Sequence, residues 1–472
     1  MSLQTTRGCT TIVVGRKASV DGSVLLAHNE DDGGSVAVKL QVIKRGEHPG
    51  CLMFNGSKIY REPRSMLSIR VTWSNHAYVN SRMVGVDFGD SYINEKGVAI
   101  VSDSAPSRED RPHLVNGGIR FFLRRIVAEK ASSAREGVEI IGSLVEEYGY
   151  GHKGRIYVVA DSKEAWVVHV VFGRHWVAQR VPDNAVAVIP NSFTIRRVDL
   201  SDKNCFMGSK DLVEYAAKRG WYRPARDGEF DFSRAYGDPR AHEEGNNAFR
   251  QWLGLYMLTG RDYPLDNLPF AVEPSRKLTF KDLMKVLRSH FEETRYDEVP
   301  RQALEKPGGF HRNLSIRPMC VWTTQEASVI QLRGYMPREI GVVYWRAPGI
   351  PCINAFIPWY PVAMTRCEAW FPEPYRHADL SHLDTGSAYW VFRILTAMVD
   401  DSYRERASVV RRVWEMIEEE AMRLQPYIEE CALRLHRDLG EKEASGFLAR
   451  YSAGLAMEAY DKALELIKKY QA

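Results

Sequence analysis

The sequence predicts an α+β protein in which helices pack on mostly antiparallel sheet, and three observations carry that reading. Runs rich in β-branched and aromatic residues recur through most of the first 200 positions. One stretch among them, 118–148, changes to helical spacing, with Ile119, Phe122, Ile126, Ala128 and Ala131, then Val138, Ile141 and Leu144. The chain then ends, from Trp390 to Tyr470, in a run rich in Glu, Arg, Leu and Ala with apolar spacings of three and four. Strands, helices and more strands in that order describe helices laid on a sheet.

The elements follow in order. Gly8-Cys9-Thr10-Thr11-Ile12-Val13-Val14-Gly15 and Ser23–Asp32 are short β-prone runs on either side of Asp21-Gly22, a hairpin signal. Antiparallel pairing there lays His28 and the Asp31/Asp32 pair alongside the strand that begins at Cys9. Further strands are expected at Val36–Ile43, Met83–Phe88, Val98–Ser102, Ile156–Ala160, Ala165–Val171, Trp176–Arg180 and Ala185–Ile189. Gly149-Tyr150-Gly151-His152-Lys153-Gly154 fits G-x-G-x-x-G, but a helix-like run precedes it and a strand-like run follows. A dinucleotide site needs the opposite order, so this is a helix-to-strand turn. From Ser201 to about Ser275 the chain is polar and broken by Gly and Pro, which reads as an insertion or cover. A helix is expected over 279–292 and a strand pair within 316–333, ahead of the helical C-terminal region.

Composition excludes several classes. Lys+Arg 64 against Asp+Glu 60 leaves a net charge of +4 over 472 residues, no basis for a nucleic-acid or membrane partner. No apolar stretch approaches the roughly 18 residues of a spanning helix, and Met1 to Gly8 has no hydrophobic segment. A cytoplasmic location is the expectation. The seven cysteines are odd in number and scattered, with no C-x-x-C pair, which predicts neither a disulfide framework nor a cysteine zinc site. Neither a metal nor an organic cofactor is expected.

Chemistry concentrates at Cys9. A free cysteine is usually a small buried hydrophobe. Here, removal of residues 1–8 would make Cys9 the N-terminus, and one residue would then supply both a thiol nucleophile and an α-amine base. An amine titrating near about 7.7–8.0 is a usable base for a thiol near about 8.5.

Cys9-Thr10-Thr11, Gly15, Ala18-Ser19-Val20-Asp21-Gly22-Ser23 and Asn29-Glu30-Asp31 together resemble the opening of the C69 dipeptidases. These are N-terminal-nucleophile hydrolases, related to the secernins, penicillin V acylase and bile salt hydrolase. The resemblance continues through 92–104 and 156–193 and into Trp390, most of the chain. It implies a four-layer αββα sandwich, with residues 1–8 a propeptide, 9–390 the hydrolase domain and 391–472 an added helical region. It also implies site residues: Cys9 as nucleophile, Asp31 as the carboxylate holding its amine, and Asn94 and Asn191 as oxyanion donors. His28 stands where relatives often carry Arg, so its charge near the thiolate would fade as the imidazole loses its proton. Arg317 matches a second family arginine, with Arg312 as a rival. His169 replaces an expected acidic residue. The implied partner is a dipeptide or small amide substrate, with a homo-oligomer possible. The leading activity is dipeptide hydrolysis; the alternatives are N-acyl amide hydrolysis and a secernin-like binding role without turnover.

Overall fold

The structure, a computed structural model, describes residues 8–32, 36–84, 88–243 and 245–471. Two antiparallel sheets form its centre. The first has six strands in the order Val186–Ile189, Thr10–Val14, Val24–Asp31, Thr324–Leu332, Val342–Pro348 and Ile357–Trp359. The second has eight, in the order Phe206–Gly208, Trp176–Arg180, Ala165–Gly173, Tyr150–Ala160, Ala99–Ser104, Gly89–Asn94, Tyr78–Met83 and Val38–Ile43.

Side-chain alternation assembles these sheets into layers. Successive strand residues point to opposite faces. Val13, Val24 and Leu26 of the first sheet therefore meet Leu40, Val79, Ile93, Val101, Ile156 and Val158 of the second between the sheets. Ile12, Val14, Leu25 and Ala27 face the other way, onto Trp252, Leu255, Leu283 and Leu287. Those four come from the helices Asn246–Thr259 and Phe280–Leu287. On the far side, Ile100, Tyr157, Val159 and Val168 pack against Leu123, Ile126, Val138 and Ile141 of the helices Phe122–Lys130 and Ala134–Tyr148. The result is helix, sheet, sheet, helix. Each such side chain contributes about 1.5–3 kcal/mol by leaving water, so the strand register is strongly fixed.

The Asp21-Gly22 hairpin forms as expected, with Gly22 at φ 76°, and pairs Thr10 with Asn29 and Thr11 with His28. Gly149 caps the helix Ala134–Tyr148 and leads into Tyr150–Ala160, the expected helix-to-strand turn.

Four expectations need correction. The strand expected at Met83–Phe88 does not begin at Met83, which closes Tyr78–Met83; the next strand is Gly89–Asn94, and 85–87 lie outside the described residues. Residues 316–333 hold one strand, Thr324–Leu332, whose partner Val342–Pro348 comes later. The 201–275 stretch is not only a cover, because Asn246–Thr259 within it buries Trp252, Leu253, Leu255 and Leu258 against the first sheet. The C-terminal helices Ala388–Asp401, Tyr403–Leu439 and Glu441–Gln471 are not a separate unit: Val391, Trp414, Ala456 and Ala463 join the same core as the inter-sheet residues. Among the described residues no helix is long and apolar enough to cross a membrane.

Candidate active site

Cys9 sits at the head of the interior strand Thr10–Val14, at an end of the first sheet where several segments meet. Antiparallel register brings the neighbours. Thr11 pairs with Ile189, so Asn191, two residues further on, comes level with Cys9. Asp31, at the end of the second strand of the hairpin, pairs with Thr324.

The peptide linking Gly8 to Cys9 lies inside this cluster. The buried Cys9 thiol donates to Glu30 Oε2 at 3.0 Å. The Gly8 carbonyl accepts from Arg317 Nη2 and, at 3.3 Å, from Arg250 Nη1. Arg250 also donates to the Cys9 carbonyl at 2.6 Å, to Thr10 Oγ1 at 2.7 Å and to Asn191 Oδ1 at 2.8 Å. Asn191 Nδ2 in turn donates to the Ser104 carbonyl at 2.7 Å. Arg317 Nη2 lies 2.8 Å from Asp31 Oδ2, and Thr324 Oγ1 donates to Asp31 Oδ1 at 2.6 Å. Position 8 has no room for a side chain: a Cβ there would lie 2.2 Å from Asn191 Oδ1, and φ is +128°.

Behind the thiol is a buried acidic group built around one histidine. His28 Nε2 is 2.9 Å from Asp90 Oδ2 and 3.6 Å from Glu30 Oε2, and Nδ1 shares a hydrogen with Thr11 Oγ1 at 2.8 Å. Thr11 Oγ1 donates to Asp103 Oδ2 at 2.6 Å. Burial, reinforced by Asp90, pushes Glu30 up to about 8 against the pull of His28. Burial likewise lifts Asp103 to about 6. Burial opposes the charged imidazole, yet Asp90 and the hydrogen bonds around it hold His28 well above its ordinary value. The shift favours the charged imidazole, against the expectation that its charge fades. The Cys9 thiol is pushed well up, first by burial and then by Glu30, so with its nitrogen acylated it is a neutral donor. Burial outweighs Arg317 and Thr324 in lifting Asp31.

Cys9 Sγ, a His28 nitrogen and a Glu30 oxygen lie within 4.8 Å of one another, a spacing compatible with a metal ion. Both imidazole nitrogens already face protein partners, Thr11 and Asp90, which suits proton transfer better than ligation.

The structure thus brings together Cys9, His28, Asp31, Asn191 and Arg317. Asn94 does not join them and needs correction. Its Nδ2 donates to the Ala128 and Ala131 carbonyls at 2.9 and 2.8 Å, and its Oδ1 accepts from Lys96 and Val98 N–H, each at 3.0 Å. Its own N–H goes to the Val98 carbonyl at 3.0 Å. No donor is left over for an oxyanion. Along Gly89–Asn94, Ile93 faces the inter-sheet core and Tyr92 the outer helices; alternation sends Asn94 outward with Tyr92, into the turn after the helix Phe122–Lys130. Arg312, the rival to Arg317, stacks on Trp322 at 4.0 Å. His169 lies in the core, stacked on Phe193 at 4.7 Å, and burial lowers its pKa well below the ordinary value.

Sequence reasoning missed Glu30, Arg250, Asp90 and Asp103 as site residues. Glu30 had a signal: Leu26, His28 and Glu30 share one face of their strand, as Cys9, Thr11 and Val13 do of theirs. Arg250 had none, because its helix is 241 residues from Cys9 in sequence.

A sandwich of two antiparallel sheets between helical layers, with the candidate nucleophile heading an interior strand, is the architecture of N-terminal-nucleophile hydrolases. The chain belongs to Peptidase family C69, which its residues 8–416 match. It is 28% identical to the dipeptidase of Bifidobacterium longum (strain NCC 2705), over 92% of this chain and 85% of that protein. It is 29% identical to a probable dipeptidase of Salmonella dublin, over 75% of this chain and 80% of that one. Among solved structures, penicillin V acylase from Agrobacterium tumefaciens covers 72% of this chain and 82% of its own, at 13% identity and a TM-score of 0.33.

Proposed function

We propose that this protein is a self-processing cysteine dipeptidase in which Cys9 first cuts the chain at Gly8 and then hydrolyses dipeptides. The observation that carries the reading is the grip on the Gly8 carbonyl by Arg317 and Arg250, next to a Cys9 thiol hydrogen-bonded to Glu30.

In the first stage Glu30 accepts the thiol proton and Cys9 Sγ attacks the Gly8 carbonyl carbon. The two guanidiniums stabilise the oxyanion, an electrostatic contribution that preorganised donors make without reorganisation. The Gly8–Cys9 C–N bond breaks, the Cys9 nitrogen takes the proton from Glu30, and water hydrolyses the thioester to release residues 1–8. In the second stage the α-amine, held beside Asp31, becomes the base. A dipeptide carbonyl takes the place vacated by Gly8, near Arg250 and the Asn191 amide, and the thiolate attacks it. The amine hands its proton to the leaving nitrogen, and water clears the acyl-enzyme. That several relatives are named dipeptidase or probable dipeptidase supports a dipeptide rather than an N-acyl amide as substrate.

Intact-mass measurement with a dipeptide panel tests this. The expected result is an active protein that begins at Cys9. Activity in a chain that retains residues 2–8 overturns the mechanism, and cleavage of N-acyl amides with no dipeptide turnover overturns the substrate.

A further inference from the structure

Three segments far apart in sequence converge on one buried point that the proposed chemistry does not use. His290 follows the helix Phe280–Leu287, His311 and Cys320 lie in the loop before Thr324–Leu332, and Cys352 sits in the short turn Pro351–Ile353. All four are buried, and one ligand atom of each lies within 4.8 Å of the others. His311 Nε2 is 3.1 Å from His290 Nε2, 3.2 Å from Cys352 Sγ and 3.8 Å from Cys320 Sγ. A tetrahedral zinc with nitrogens at about 2.0–2.1 Å and sulfurs at about 2.3 Å has edges of about 3.3–3.8 Å. The observed spacings agree within a few tenths of an ångström.

The hydrogen inventory points the same way. His290 Nδ1 is 2.8 Å from Glu292 Oε1 and His311 Nδ1 is 2.6 Å from Asp400 Oδ1. An ionised carboxylate only accepts, so each Nδ1 carries a hydrogen, which leaves each Nε2 turned towards the two sulfurs and the other imidazole. Two Nε2 atoms 3.1 Å apart in a buried site need a positive charge between them, a proton or a metal cation, and two cysteine sulfurs beside the same point favour the metal. A carboxylate behind each imidazole is also how metal-binding histidines are oriented. Phe291, between His290 and Glu292, adopts φ 79°, a strained turn that holds both side chains in place.

We propose that His290, His311, Cys320 and Cys352 bind one zinc ion in a closed Cys2His2 site. The scattered cysteines predicted no such site; the fold brings two of them together with two histidines. With four protein ligands and no open position, the ion is structural. Its place in the fold says what it holds. Asp400, together with Tyr403 and Arg411, which contact Cys352, comes from the C-terminal helices. Cys320 lies three residues after Arg317, and Asn29, beside His28 and Glu30, donates to the Leu287 and Met319 carbonyls at 3.1 and 2.9 Å. The ion thus ties the C-terminal helices to the loop that carries Arg317.

The test is metal content of the full chain purified without chelator, with cobalt substitution. The expected result is about one equivalent of zinc per chain, retained in Cys9→Ala and lost in Cys320→Ser and Cys352→Ser. If the serine variants do not fold, the wild-type protein decides: cobalt should give the intense visible bands of a tetrahedral site and two-thiolate charge transfer. Less than about 0.1 equivalent, both as purified and after dialysis against zinc, overturns the site, as does cobalt without thiolate charge transfer. A Cys320–Cys352 disulfide, or metal lost only in Cys9→Ala, also overturns it.

Discussion

Cys9 and Glu30 share a hydrogen bond of 3.0 Å while the Cys9 nitrogen is still a peptide nitrogen, so the unprocessed chain has a base within reach of its nucleophile. Because Glu30 is lifted to about 8, its carboxylate form grows as pH rises towards that value. Maturation, followed by intact mass, should therefore accelerate from pH 6 to about 8. Glu30→Gln should slow it by about 10²–10⁴, the usual share of general base catalysis. Equal rates in the two proteins would assign the base elsewhere. The same shift has a stability consequence. The folded precursor binds this proton more tightly than the unfolded chain, so the contribution of Glu30 to stability is lost as pH rises from about 4.5 through about 8.

Gly8→Ala should block or strongly retard the same cleavage. The added Cβ would meet the Asn191 side chain, and φ +128° strains any residue but glycine. The uncleaved chain should accumulate, visible as a mass that retains residues 2–8. Normal maturation of Gly8→Ala would show that the Gly8 carbonyl need not sit where Arg317 and Arg250 hold it.

Arg250→Lys and Asn191→Ala, made in protein already confirmed as processed, should lower kcat by about 10²–10³ with little change in KM, since an oxyanion exists only beyond the ground state. A rise in KM alone would make these residues substrate anchors.

Asn94→Ala separates a turn residue from a catalytic one. Losing the four hydrogen bonds of the Asn94 amide should lower stability by about 2–4 kcal/mol. Turnover per folded molecule should stay near wild type. A fall in kcat of about 10² or more without loss of stability would restore Asn94 to the oxyanion site.

His28→Gln removes the cation between Glu30 and Asp90 and should destabilise the fold by about 1–3 kcal/mol, short of the full cost of an unpaired buried charge because Arg124 still pairs with Asp90 at 2.8 Å. His28→Arg keeps the charge and should recover part of that loss. Because Asp90 holds His28 protonated well above its usual range, the wild-type pH–rate profile should show no fall attributable to this imidazole between pH 6 and 8. A titration of the His28 ring near 6.5, read by NMR, would contradict that.

The sequence by itself determined the mix of antiparallel sheet and helix and much of the site's near neighbourhood, while the four-layer order came from the family resemblance. Alternation and the Asp21-Gly22 turn fix the hairpin register, and that register places His28, Glu30 and Asp31 beside Cys9, because local chain geometry alone sets which residues share a strand face. Only the tertiary structure decided the rest. Whether Asn94 faced the inter-sheet core or the outer helices depended on one step of strand parity, which a segment of uncertain ends leaves open. Arg250, and the meeting of His290, His311, Cys320 and Cys352, depended on helices and loops packing across distances of many residues. Such contacts follow from how apolar faces stack, and no local spacing in the chain records which polar groups that stacking will bring together.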